Sequence, residues 1–243
     1  MSLTQINHWT EYASAGIDLV LLLRVLGLRL QRAYVFLTLA AVLTVFFDGV
    51  QLWLPHESSE FARANSYSQI IFAVVFPLAA WDAFEEIATP IAALRRLAIL
   101  RTLTSLVMIT FFALLIALVT GLTDDPNGDN FLAILSLILW TGSATASLAF
   151  LWTMHRAIRA QKLETPNNTF VWMIFFELLL AGAVVGCFIS LVEVALRQPA
   201  SGPVVQVTDF VLNLYGIGVT IWCIIKLRAL PKDLPSPSLH ENS

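Results

Sequence analysis

The sequence predicts an all-α, polytopic transmembrane bundle of seven spans, with the N-terminus outside and the C-terminus in the cytoplasm. Three observations carry that expectation. The 243-residue chain is 58% hydrophobic and only 13% charged, with a mean hydropathy of +0.77, whereas soluble domains carry roughly 25% charged residues. Its apolar residues gather into blocks of the length, about 20 residues, that a helix needs to cross about 30 Å of hydrocarbon. Its basic residues fall between alternate blocks.

Taken in order, the expected spans are 9–28, 34–54, 67–89, 102–122, 131–153, 170–195 and 204–225. Asp18 and Arg24 interrupt the first, which makes it the weakest; without it the chain would have six spans and the N-terminus would change sides. Cytoplasmic connections hold an excess of Lys and Arg. Arg24, Arg29 and Arg32 follow span one, Arg95, Arg96 and Arg101 span three, Arg156, Arg159 and Lys162 span five, and Lys226, Arg228 and Lys232 span seven. These are twelve of the 14 basic residues; only Arg63 and Arg197 fall on the opposite side, with Glu57, Glu60, Asp124, Asp125 and Asp129. The membrane implied is a bacterial inner membrane.

Residues 1–230 therefore read as one membrane domain. The segment 231–243, polar and Pro-rich, reads as a disordered cytoplasmic tail that holds too little apolar surface to fold. The N-terminal stretch lacks a positive leader, so a retained first helix is expected. Cys187 and Cys223 sit near opposite ends of consecutive antiparallel spans, too far apart for a disulfide.

Composition and motifs exclude several function classes. The basic residues are few and dispersed, so no nucleic-acid partner is expected. Asp125-x-Asn127-x-Asp129 begins like a calcium loop, but Asn130 replaces the usual Gly and Ser136 the closing acid, which leaves a polar turn. His8, His56, His155 and His240 show no metal spacing, and there is no H-E-x-x-H, G-x-S-x-G or P-loop. No enzyme activity, metal or cofactor is expected. Asn167-Asn168-Thr169 matches a glycosylation acceptor but lies on the cytoplasmic side.

Ionisable groups inside a membrane are costly and mark candidate sites. In AAWDAFEEIATP, residues 79–90, Asp82, Glu85 and Glu86 share one helix face. At 1.5 Å per residue, Asp82, Glu177 and Asp18 each lie about 10 Å from the cytoplasmic boundary, forming an inner tier. Asp48, Gln51, Glu193, Asp209 and Asn213 form an outer tier. The preferred reading of the inner tier is structural: Arg24, Arg95 and Arg96 lie at the same level and reach back to the acids. A proton or cation site and a ligand pocket are the alternatives. Gly182-x-x-x-Gly186 and the small residues of 141–147 predict close helix contact, either between neighbours or across a homodimer. Trp53, Trp152, Trp172 and Trp222 fall near span ends as interfacial anchors, while Trp81 and Trp140 are deeper.

The stretches IDLVLLLRVLGLRLQRAYVFLTL (17–39), WDAFEEIATPIAALRRL (81–97) and LNLYGIGVTIWCIIKLR (212–228) resemble a family of bacterial seven-helix integral membrane proteins without a known activity. Asp18, Glu86 with Ile87, Leu94-Arg95-Arg96, and Tyr215 with Trp222 occupy the family's places. The resemblance implies the seven-helix, N-outside arrangement and no ligand or catalytic residue. The leading expectation for function is a non-enzymatic receptor, sensor or assembly component in the lipid bilayer, with a membrane or cytoplasmic protein partner or a second copy. The alternative is a small-solute or proton-coupled carrier that uses Asp82 and Glu177, with Asp48 or Asp209 outside.

Overall fold

A computed structural model describes residues 3–55, 58–88, 100, 103–104, 107–111, 114–115, 129–162, 164–195 and 203–229. The fold is all-α. Among the described residues it has six long helices, α1 (Leu3–Gly27), α2 (Val35–Trp53), α3 (Ser59–Ala88), α4 (Asp129–Gln161), α5 (Asn167–Ala195) and α6 (Pro203–Lys226), one 3-10 turn (Leu30–Arg32) and no strand. Helices α2 to α6 each contain a stretch long and apolar enough to cross a membrane. Of the segment 102–122, residues 103–104, 107–111 and 114–115 are helical. Arg95, Arg96, the Asp125-x-Asn127 turn and the tail 231–243 lie outside the described residues, as do the side chains of Glu86 and Glu193.

Charges on α1 keep its hydropathy below that of the others, yet it runs parallel to α6 along its whole length. Near its start Asn7 Nδ2 donates to the Gln206 carbonyl at 2.9 Å. Near its end an Arg24 guanidinium N–H donates to the Leu227 carbonyl at 3.3 Å. The basic Arg24 also complements the partial negative charge at the C-termini of both helices.

The boundaries follow from local chemistry. Ser58 Oγ accepts the Phe61 N–H at 3.1 Å and caps α3, which therefore starts well before the apolar block at 67. Pro203 opens α6, where its missing N–H costs nothing. Asn168, at the start of α5, holds the end of α6: its Nδ2 donates to the Arg228 carbonyl at 2.8 Å and its Oδ1 accepts the Arg228 N–H at 2.9 Å. Tyr34 Oη and the Thr169 hydroxyl share a buried hydrogen bond of 3.1 Å. The apparent glycosylation sequence at 167–169 is thus a structural clasp between helix ends.

Pro77 sits inside α3 and cannot donate to the Ala73 carbonyl one turn back. The Ser143 hydroxyl, buried on α4, donates to that carbonyl instead. Left without a donor in an apolar interior, the carbonyl would cost about 1–3 kcal/mol. One of the small residues predicted to serve helix contact thereby repairs a break in the neighbouring helix.

The six helices close into a ring: α1 packs on α2, α2 on α3, α3 on α4 and α5, α4 on α5, α5 on α6, and α6 back on α1. The ring is solid at one end. Leu30, Tyr34, Ala79, Ala83, Leu151, Met173, Cys223 and Leu227 are all at most 2% exposed and belong to one core cluster that takes in the turn between α1 and α2. Trp172, expected as an interfacial anchor, is buried there too, because its ring packs between Tyr34 and Phe175. Trp53 and Trp152 are exposed, as anchors are, with Arg156 stacked 4.6 Å over the Trp152 ring. Cys187 and Cys223 are buried free thiols. Outward-facing Leu19, Leu23, Leu39, Val42, Phe46, Ile221 and Ile225 supply an apolar coat, which suits a chain surrounded by acyl tails.

Candidate functional site: a chamber with a polar vestibule

The ring holds two adjoining cavities. The deeper, of about 390 Å³, lies between all six helices. Aromatic rings make much of its wall: Phe72 and Phe76 stack at 5.0 Å, Trp140 lies 5.2 Å from Phe76, and Phe176 meets Phe76 edge-on at 5.8 Å. Among the described residues Asp18 is its single carboxylate. The hydroxyls of Ser14 and Thr220 hydrogen-bond to Asp18, and Ser14 lies one helical turn before it on the same face of α1.

The shallower cavity, of about 450 Å³, is polar. Asn7, Glu11, Asp48, Gln51, Asn65, Asp209 and Asn213 line it, from α1, α2, α3 and α6. Ser14, Leu212 and Asn213 line both cavities, so the polar vestibule and the aromatic chamber adjoin. Asp48 and Asp18 are close enough for their charges to interact.

The structure brings together four of the five outer-tier residues, Asp48, Gln51, Asp209 and Asn213; the Glu193 side chain is outside the described set. The inner tier is distributed differently. Among the described residues of that tier only Asp18 lines the chamber. Asp82 accepts the backbone N–H groups of Phe36 and Leu37, the latter at 3.2 Å, and so caps α2 from the side of α3. Glu177 sits 3.0 Å from His155 Nδ1 through both carboxylate oxygens, linking α5 to α4. Glu85 is half-buried on α3. Arg24, expected to reach back to these acids, instead donates to the Leu227 carbonyl.

Two of these partners carried a sequence signal that spacing alone does not expose. α2 begins after Tyr34, a residue with no capping side chain, so its first N–H groups require an acceptor from elsewhere. His155 and Glu177 lie at similar distances from the connection between consecutive spans, which makes them neighbours in an antiparallel pair. The aromatic wall has no such signal, because Phe72, Phe76 and Trp140 look like ordinary core residues until the ring leaves them facing a void.

Gly182 and Gly186 face α6 rather than the outside of the ring. A Cβ at Gly182 would stand 2.7 Å from Tyr215 Cε1, and one at Gly186 would stand 3.1 Å from Leu212 Cδ1. The Tyr215 hydroxyl donates to the Leu178 carbonyl at 2.8 Å, which fixes the ring against Gly182. The close approach serves neighbouring helices, the first of the two roles expected for the Gly pair.

Comparison with protein families, curated proteins and solved structures returns no match for this chain. Among the described residues no group of three or more His, Cys, Asp or Glu side chains could hold a metal ion.

Proposed function

We propose that this chain is a seven-helix, non-enzymatic receptor or sensor of a bacterial inner membrane that takes a small ligand into its central chamber from the outer face. The observation that supports it is the asymmetry of the ring, hollow and polar-mouthed at one end and packed solid at the other. The basic residues that follow spans one, three, five and seven favour assigning the solid end to the cytoplasm. A ligand in the chamber touches all six helices, so its binding free energy can act on their relative packing. The cytoplasmic ends, joined by Asn168, Tyr34 and Arg24, are where a protein partner would read that change.

A carrier is the second reading, favoured by Pro77, which breaks α3 beside the chamber residue Phe76 and marks a place where that helix can bend. In that case the solid end would have to open in the transport cycle.

Gly216→Phe separates a ligand chamber from a passive void. Gly216 lines the chamber, and a Cβ there meets nothing within 4 Å. The first carbon of the new side chain therefore meets no neighbour, the ring is expected to occupy the chamber, and replacing Gly also favours the helix. In a thermal screen of small molecules, a chamber ligand present at 100 times its Kd raises wild-type stability by about 2.7 kcal/mol and leaves Gly216→Phe unmoved. A receptor then shows no flux of that ligand into proteoliposomes; flux that Gly216→Phe abolishes would establish the carrier. Ligands that stabilise both proteins equally would remove the chamber from the account.

A further inference from the structure

We infer that the chamber's ligand is an organic cation, an ammonium group carried on an apolar or aromatic body. The inference rests on the ligand-chamber reading above and adds the chemistry of the occupant. Among the described residues neither cavity is lined by a Lys, Arg or His, while Glu11, whose carboxylate lies 3.4 Å from His8 Nδ1, and the carboxylates of Asp48 and Asp209 line the vestibule and that of Asp18 the chamber. A mouth of one charge sign in low-dielectric walls concentrates ions of the opposite sign. Anions are repelled from it.

Inside, the walls select among cations. A bare divalent metal requires several oxygen ligands in one shell, and among the described residues the chamber offers one carboxylate, held by the Ser14 and Thr220 hydroxyls, while the Thr44 and Tyr215 hydroxyls donate to the backbone carbonyls of Ala40 and Leu178. A compact hydrated cation would lose its water to an aromatic surface. An alkylammonium group is suited to both features, because aromatic rings attract it electrostatically, Phe72, Phe76 and Trp140 stand in the chamber wall, and Asp18 supplies the counter-charge. The remaining wall, with Leu37, Ala40 and Leu179, takes up an apolar body. Conversely, a carboxylate held in an apolar chamber on two hydroxyl hydrogen bonds gains from a cationic partner that water-excluding walls confine beside it. The sequence Ser14, then Asp18 one turn deeper, connects the two cavities along a single face of α1.

Benzyltrimethylammonium and its neutral carbon isostere, neopentylbenzene, differ only in charge and test the inference directly. Binding is measured on the full-length protein in phosphatidylcholine nanodiscs, with benzenesulfonate as the anionic comparator. Wild type is expected to bind the cation saturably and at least about tenfold more tightly than the isostere, and not to bind the sulfonate. Asp18→Asn, which keeps the shape and an acceptor for both hydroxyls, is expected to reduce that preference to about onefold; Gly216→Phe is expected to abolish binding of both. If Asp18→Asn does not fold, the wild-type preference alone decides, together with its reduction in Trp140→Leu. A wild type that binds the isostere or the sulfonate as tightly as the cation, with binding lost in Gly216→Phe, overturns the cation while the chamber stands. Absence of saturable cation binding overturns it as well. Cation binding that survives Gly216→Phe overturns the cation and the chamber together.

Discussion

Asp82→Ala is expected to lower stability by about 3 kcal/mol, measured by thermal or denaturant unfolding in nanodiscs. The side chain accepts the Phe36 and Leu37 N–H groups, and Asp82 itself is only 8% exposed. Hydrogen bonds to a charged group contribute about 1.5–3 kcal/mol, and a buried donor left without an acceptor costs its full desolvation. Tyr34, which precedes α2, makes no capping bond of its own. Asp82→Asn retains an acceptor without the charge and should lose only part of that stability. Full stability in Asp82→Ala, with saturable activity lost, would instead assign the carboxylate a direct functional role. The three carboxylates of AAWDAFEEIATP are thus partly explained: the first of them terminates a neighbouring helix that its own sequence leaves uncapped.

Gly182→Leu is expected to cost about as much, for a different reason. Its Cβ would stand within 2.7 Å of the Tyr215 ring, which cannot swing aside without breaking its bond to the Leu178 carbonyl. Overpacking a tight contact costs about 1–3 kcal/mol, and loss of the hydrogen bond adds about 1 kcal/mol. Tyr215→Ala in the same chain removes the obstacle and should recover most of the loss. A Gly182→Leu protein that unfolds like wild type would mean that α5 and α6 do not approach as described. Because Tyr215 and Gly182 also line the chamber, the single variant should lose ligand as well as stability.

The architecture was legible because lipid restricts the options. Long apolar blocks read as helices, and the helix bounds then followed Ser58, Pro203 and the turn at Arg29, whose φ of 59° stops α1 from running on. Asp48, Gln51, Asp209 and Asn213 stood out in the sequence because they are polar where polarity is expensive, and they line one cavity. Depth alone did not distinguish the roles of the inner acids. Counting along the sequence puts Asp18, Asp82 and Glu177 at one level, yet the fold gives them a cavity, a helix start and a histidine as separate partners. Spacing along one helix fixes which residues share a face, but not what stands opposite that face. The aromatic chamber was hidden for the same reason.

The central claim is that a chamber lined by Asp18, Trp140 and Gly216 is reached from the outer face and closed towards the cytoplasm. A single cysteine at Gly216, with Cys187 and Cys223 replaced by Ala, reports on that directly through a membrane-impermeant methanethiosulfonate reagent. The account predicts rapid modification in right-side-out vesicles and protection in inside-out vesicles. Modification confined to inside-out vesicles would contradict it.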